Sequence, residues 1–118
     1  MHIDGNRLVL DCRSEVQFDH EFEEVLDFGE VLVVLLRIPA GTKYNRNVFG
    51  ISKADGKVLW QIVPASISLG QVDAPYVGMR RSEDGCLHAT NWEGVTMYLN
   101  PVTGREVKKW TWVKLDCL

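Results

Sequence analysis

The chain has no apolar run longer than the six residues Val31-Leu32-Val33-Val34-Leu35-Leu36. A membrane-spanning helix needs roughly 20, so no membrane segment is expected. There is no Cys-x-x-Cys, Walker loop, Gly-x-Gly-x-x-Gly or His-Glu-x-x-His. The signatures of a thioredoxin-like centre, a phosphate cradle, a dinucleotide site and a zinc peptidase are therefore missing. Ser52, Ser66 and Ser68 lack the Gly-x-Ser-x-Gly context of a nucleophile elbow. The carboxylate pairs Glu23/Glu24 and Glu83/Asp84 are adjacent, whereas a glycosidase needs two that face each other across a cleft. Cysteine is scarce: Cys12, Cys86 and Cys117 cannot all pair within one chain. A reduced, cytoplasmic protein with small apolar cysteines is the expectation. The opening MHIDGNR has neither a basic leader nor an apolar signal core, which points the same way. No Gly/Ser-rich linker occurs, so residues 1–118 are read as one domain.

What is present is an uneven charge. Residues 1–30 hold nine acidic side chains against Arg7 and Arg13, a net −7, and the remainder is +4, giving −3 for the whole chain. Such a segment repels phosphate and steers a basic protein partner. It also suits a solvated face or a protected edge strand.

The larger feature is a repeat. VFGISKADGKVLWQI at 48–62 and TMYLNPVTGREVKKW at 96–110 are each an apolar run, a turn with one fixed glycine, and a returning run. Gly56 and Gly104 align at an offset of 48, and upstream Gly29–Val34 lies over Gly85–Thr90 at an offset of 56. A unit of this period buries its apolar face only by packing on a neighbour. The eight extra residues of the first copy fall in Pro39–Arg46, whose Lys43, Tyr44 and Arg46 make it either a contact loop or a plain surface excursion.

Nearly everything else reads as strand. Leu8, Leu10 and Cys12 alternate with Val9 and Asp11, the period of a half-buried strand. Val31–Ile38 reads as a strand buried on both faces. Glu21–Leu26 also fits a single helical turn. Hairpins are expected around Gly56 and Gly85, and further turns at Gly94 and Gly104.

Each copy resembles a blade of the quinoprotein-type (PQQ-like) β-propeller: a strand, a turn of the form Asp-x-x-Thr-Gly-Lys, and a strand ending in Trp. Ile51–Trp60 and Leu99–Val107 carry the likeness, which covers about residues 25–112, with Lys108 at the second copy's tryptophan position and Trp110 and Trp112 following. Two copies cannot close a ring of about 4–8 blades, and the adjacent-cysteine pair of those dehydrogenases is missing. The resemblance therefore implies the blade and not the quinone cofactor. Asn47–Ile62 with Asn91–Gly104 also resembles small bacterial β proteins that serve as immunity partners of contact-dependent or polymorphic toxins.

The resulting expectation is an all-β, antiparallel domain. Two propeller-blade-like four-stranded units, at about 22–63 and 76–114, would be packed or curled into a partly closed barrel or sandwich. The expected function is a non-enzymatic immunity protein that occludes a basic toxin domain such as a nuclease, with no cofactor. Asp19, Glu21, Glu23 and Glu24 are the steering residues, with Tyr44 and Trp92 as apolar anchors. One alternative is a propeller-like structural or regulatory module that acts as an oligomer. Another is a small metal protein or enzyme using Cys86 and His88, which share a strand face but supply two ligands where structural zinc takes four. Asp19-His20-Glu21 makes no dyad on a strand, because neighbours face opposite ways. Arg80-Arg81, Lys108-Lys109 and Lys114 with Trp110 and Trp112 combine charge and stacking. The acidic balance and the opposed facing of Lys109 and the tryptophans argue against nucleic acid.

Overall fold

A computed structural model describes residues 1–64 and 74–107, and among these there is no helix and every strand pairing is antiparallel. Three sheets follow one another along the chain. The N-terminal sheet holds β1 (His2–Asp4), β2 (Arg7–Val9) and β3 (Glu15–Gln17). The central sheet holds β4 (Phe22–Asp27), β5 (Val31–Leu36), β6 (Val48–Ser52) and β7 (Val58–Gln61). The C-terminal sheet holds β8 (Tyr76–Arg81), β9 (Leu87–Asn91) and β10 (Thr96–Leu99). Each is a meander in chain order, and none closes into a barrel.

The reason for three layers lies in β5, which is buried along its whole length. Val31, Val33 and Leu35 meet Met79, Leu87, Ala89, Met97 and Leu99 of the C-terminal sheet. Leu32 and Val34 point the other way, with Ile51, and are covered by Leu8 and Leu10. A strand apolar on both faces needs cover on both. Residues 2–18 supply the second cover, so the expected two-unit arrangement gains an N-terminal sheet of its own. Phe18 seals this layer, its ring 5.5 Å from Phe22 and 4.8 Å from Phe49.

Two local expectations change. The stretch that fits a helical turn is β4, held by its ladder to β5, with Glu23 as the extra residue of a bulge between Phe22 and Glu24. The strand expected to run through Cys12 stops at Val9. The chain turns there with Arg13 at φ 70°, closed by Arg13 N donating to Leu10 O at 2.8 Å, and this leaves Cys12 exposed.

Repeat glycines mark where one layer meets the next. Trp60 sits opposite Gly50 in the β6–β7 ladder, where a Cβ would overlap its indole. Gly104, at φ +72°, also lies against the indole, where a Cβ would fall 2.5 Å from Trp60 Cγ. The indole Nε1 donates to Pro101 O at 2.8 Å, fastening the first repeat to the turn of the second. Gly56, at φ +78°, lies against Val16 of β3 and against Leu10 and Ser14 of the turn before it. The second repeat begins a fourth strand, with a bridge between Leu99 and Glu106 and Val107 N donating to Tyr98 O at 2.6 Å. The strand expected over Lys108, Lys109, Trp110, Trp112 and Lys114 lies outside the described residues, as do Cys117, Ser66 and Ser68. No helix among the described residues is long and apolar enough to cross a membrane.

Candidate functional site

The insertion Pro39–Arg46 joins β5 to β6, and surface features gather on both of its flanks. On one side is an apolar groove of about 310 Å³, lined by Ile38, Pro39, Ala40, Pro75, Val77 and Trp92, among others. Trp92 is 73% exposed, more than any other large apolar side chain among the described residues, and Val77 beside it is 47% exposed.

Both are held outward by the backbone. The ladder between β8 and β9 shifts register between Tyr76 and Gly78, leaving Val77 as the unpaired residue of a bulge; bulges of this kind re-aim side chains at sheet edges. Trp92 tops the turn after β9. There Asn91 Oδ1 accepts from Glu93 N at 3.0 Å and Val95 N at 2.9 Å, and Trp92 N donates to Pro75 O at 2.9 Å.

The groove floor is tied down as firmly. Buried Asn47 donates from Nδ2 to Leu36 O and Tyr76 O, each at 2.8 Å, and its Oδ1 accepts from Tyr76 N at 2.8 Å. Asn45 Oδ1 accepts from Ala74 N at 2.9 Å, and the Tyr76 hydroxyl donates to Val63 O at 2.7 Å. Pro75 is thus set from both neighbours. Burial raises the Tyr76 phenol pKa well above its ordinary value, with Glu106 adding to it.

On the other flank is an open polar pocket of about 530 Å³ lined by Asp19, His20, Glu21, Arg37, Asn6 and Pro39, with Gly5 beside them. Its walls are pinned by Asn6 Nδ2 donating to Phe18 O at 2.7 Å and by Arg37 N donating to Glu21 O at 2.8 Å. The His20 ring meets Tyr44 edge-on at 5.5 Å. Burial raises the Tyr44 pKa, the charge of Asp19 adds to the rise, and Arg46 opposes it. Pro39 lines both pocket and groove, so the two are contiguous.

The six residues singled out in the sequence divide here. Asp19 and Glu21 line the pocket, Tyr44 packs against it, and Trp92 lines the adjoining groove. Glu23 is on the rim, its Oε2 2.6 Å from Arg37 Nε, while Glu21 is 4.0 Å from the same guanidinium. The bond to Glu23 raises the Arg37 pKa. Glu24 is half-buried, opposite Leu35 in the ladder. The acidic patch is thus partly neutralised by Arg37, which sequence reasoning passed over. Asp19 is the lining carboxylate with no ion pair among the described residues.

A family model described as "Domain of unknown function (DUF7957)" matches residues 1–110. The chain belongs to the DUF7957 family. No curated protein and no solved structure matches it.

The pair Cys86 and His88 fares differently in this DUF7957 chain. Cys86 is fully buried and disulfide-bonded, so its sulfur is not available as a metal ligand. This corrects the expectation of three reduced thiols, and it removes cysteine usage as an argument for a cytoplasmic location. His88 packs edge-on against Tyr98 at 4.5 Å. Among the described residues no group of three or more His, Cys, Asp or Glu is placed to hold a metal ion. Sequence reasoning also missed Val77, Asn47 and Asn91. The turn signal Asn-Trp-Glu-Gly points at Asn91, but nothing local marks the bulge that exposes Val77.

Proposed function

We propose that this DUF7957 protein is a non-enzymatic protein-binding module, and most concretely a bacterial immunity protein that neutralises a basic toxin domain by covering its active site. The observation that carries the reading is Trp92, 73% exposed in an apolar groove on a turn whose backbone is already ordered. An exposed tryptophan on an ordered backbone anchors a partner at little entropic cost, and such residues supply most interface hot spots. Asp19, with Glu21 and Glu23 beyond it, supplies steering toward a cationic partner.

The likeness of both repeats to propeller blades belongs to the same proposal. Its support is the four-stranded meander β4–β7 and the bridge that begins a fourth strand after β10. Ring closure by oligomerisation is the weaker reading. The ladder puts Asp4, Arg7 and Gln17 on the outer face of the N-terminal sheet, and Arg7 pairs with Asp4 at 3.2 Å and Glu15 at 3.3 Å. A charged outer face is what a terminal cap of a stacked array presents.

The test is growth rescue: the chain is co-expressed with the C-terminal domain encoded by the neighbouring upstream gene. Rescue by the wild type and its loss with Trp92→Ala are expected, with about 30-fold weaker binding of the purified pair, equivalent to about 2 kcal/mol. Asp19→Ala should slow association and Arg37→Ala, which bares Glu21 and Glu23, should speed it. A toxic domain that the wild type fails to neutralise refutes the immunity reading.

A further inference from the structure

We infer that the Trp92 groove and the polar pocket beside it form one docking track for an extended segment of a protein partner. In that track a large apolar side chain enters the groove, and an arginine or lysine a few residues away reaches Asp19. The inference rests on the protein-binding reading above and specifies what is recognised.

Three features of the track select the occupant. The first is the set of backbone groups that the groove leaves open. Pro39 and Pro75 have no N–H, Trp92 N is committed to Pro75 O, and Thr42 N to Pro39 O. The β8 edge is interrupted by its bulge at Val77. Strand addition needs a row of free backbone donors and acceptors, so recognition falls to side chains. The second is the surface itself: Trp92, Val77 and Ile38 meet apolar atoms, in a volume of about 310 Å³ that suits one or two large side chains.

The third is charge. The Arg37 guanidinium is already shared by Glu23 at 2.6 Å and Glu21 at 4.0 Å, while Asp19 has no ion pair among the described residues. The pocket therefore attracts a cation and repels a carboxylate. Because Pro39 lines both cavities, a segment leaving the groove over Pro39 arrives beside Asp19 and His20.

The probe is a library of short linear peptides displayed on phage, selected in parallel on the wild type, Trp92→Ala and Asp19→Lys. Both positions are exposed, and thermal melts verify that the variants fold. The wild type is expected to enrich peptides with a large apolar residue near an Arg or Lys. The synthesised consensus should bind Trp92→Ala about 30-fold more weakly and Asp19→Lys roughly 10-fold more weakly. Selection on Asp19→Lys should lose the basic residue.

No enrichment, the same peptides on Trp92→Ala, or a basic preference that survives Asp19→Lys overturns the track. A wild-type dimer that Trp92→Ala converts to monomer overturns it as well, by giving the groove to a second copy. Growth rescue that persists in Trp92→Ala would refute the track while leaving the protein-binding reading standing.

Discussion

Substituting alanine for Gly104 and for Gly56 separates backbone strain from the contact between the repeats. Both glycines have positive φ, +72° and +78°, so each alanine costs about 1–2 kcal/mol for the left-handed conformation. The surroundings differ. At Gly56 the nearest heavy atom to an added Cβ is Ser14 Cβ at 3.1 Å, which a shift of a few tenths of an ångström relieves. At Gly104 the Cβ would meet Trp60 Cγ and Cδ2 at 2.5 Å, so the indole must retreat by about 1 Å, at an overpacking cost of about 1–3 kcal/mol. It has little room to do so, with Gly50 also against it and Nε1 bonded to Pro101 O at 2.8 Å. Gly104→Ala should therefore destabilise by about 2–5 kcal/mol and Gly56→Ala by about 1–2. Urea unfolding at constant m-value measures the difference, which corresponds to roughly 3–5 °C of Tm per kcal/mol at this chain length. In a Trp60→Leu background the excess should disappear, a coupling that a double-mutant cycle reads directly. If the two alanine variants agree within about 0.5 kcal/mol, the indole is not the obstacle and the proposed fastening of the repeats is wrong.

Asn47→Leu keeps the branched heavy-atom skeleton but leaves Tyr76 N–H, Tyr76 C=O and Leu36 C=O without their side-chain partner. The expected loss is about 3 kcal/mol, and a melt within about 0.5 kcal/mol of wild type would contradict it. Tyr44 holds its proton more tightly folded than unfolded. Its contribution is therefore complete below the unfolded value of about 10 and lost as pH rises through the folded one. Asp19→Asn should move the Tyr44 ionisation down, followed by phenolate absorbance, and an unmoved titration denies the Asp19 influence. Alkylation of denatured, unreduced protein followed by peptide mapping should label Cys12 and leave Cys86 unlabelled; label on Cys86 would remove its disulfide.

Periodicity and turn glycines made much of the architecture legible. The continuous apolar stretch of β5 announces a strand covered on both faces, and Gly56 and Gly104 mark equivalent turns. The ambiguity at Glu21–Leu26 was physical: its spacing satisfies a helical turn and a strand alike, and the ladder to β5 decides between them. Of the N-terminal sheet only β2 was legible, in the alternation around Leu8; β1 and β3, of three residues each, are too short to show a period. At the site, Trp92, Tyr44, Asp19 and Glu21 could be named from chemistry, while their common location could not. Arg37 reaches Glu23 across the β4–β5 pair, from 14 residues away, and no local pattern encodes that.

The sequence by itself determined the strand-rich class, the repeat, the positions of the turns and the acidic balance, because these depend on near neighbours along the chain. Tertiary structure alone decided that three sheets stack, that Trp60 packs against both Gly50 and Gly104, and that the insertion brings a groove and a pocket side by side. Those outcomes depend on contacts between residues tens of positions apart, where packing and hydrogen-bond satisfaction override local preference.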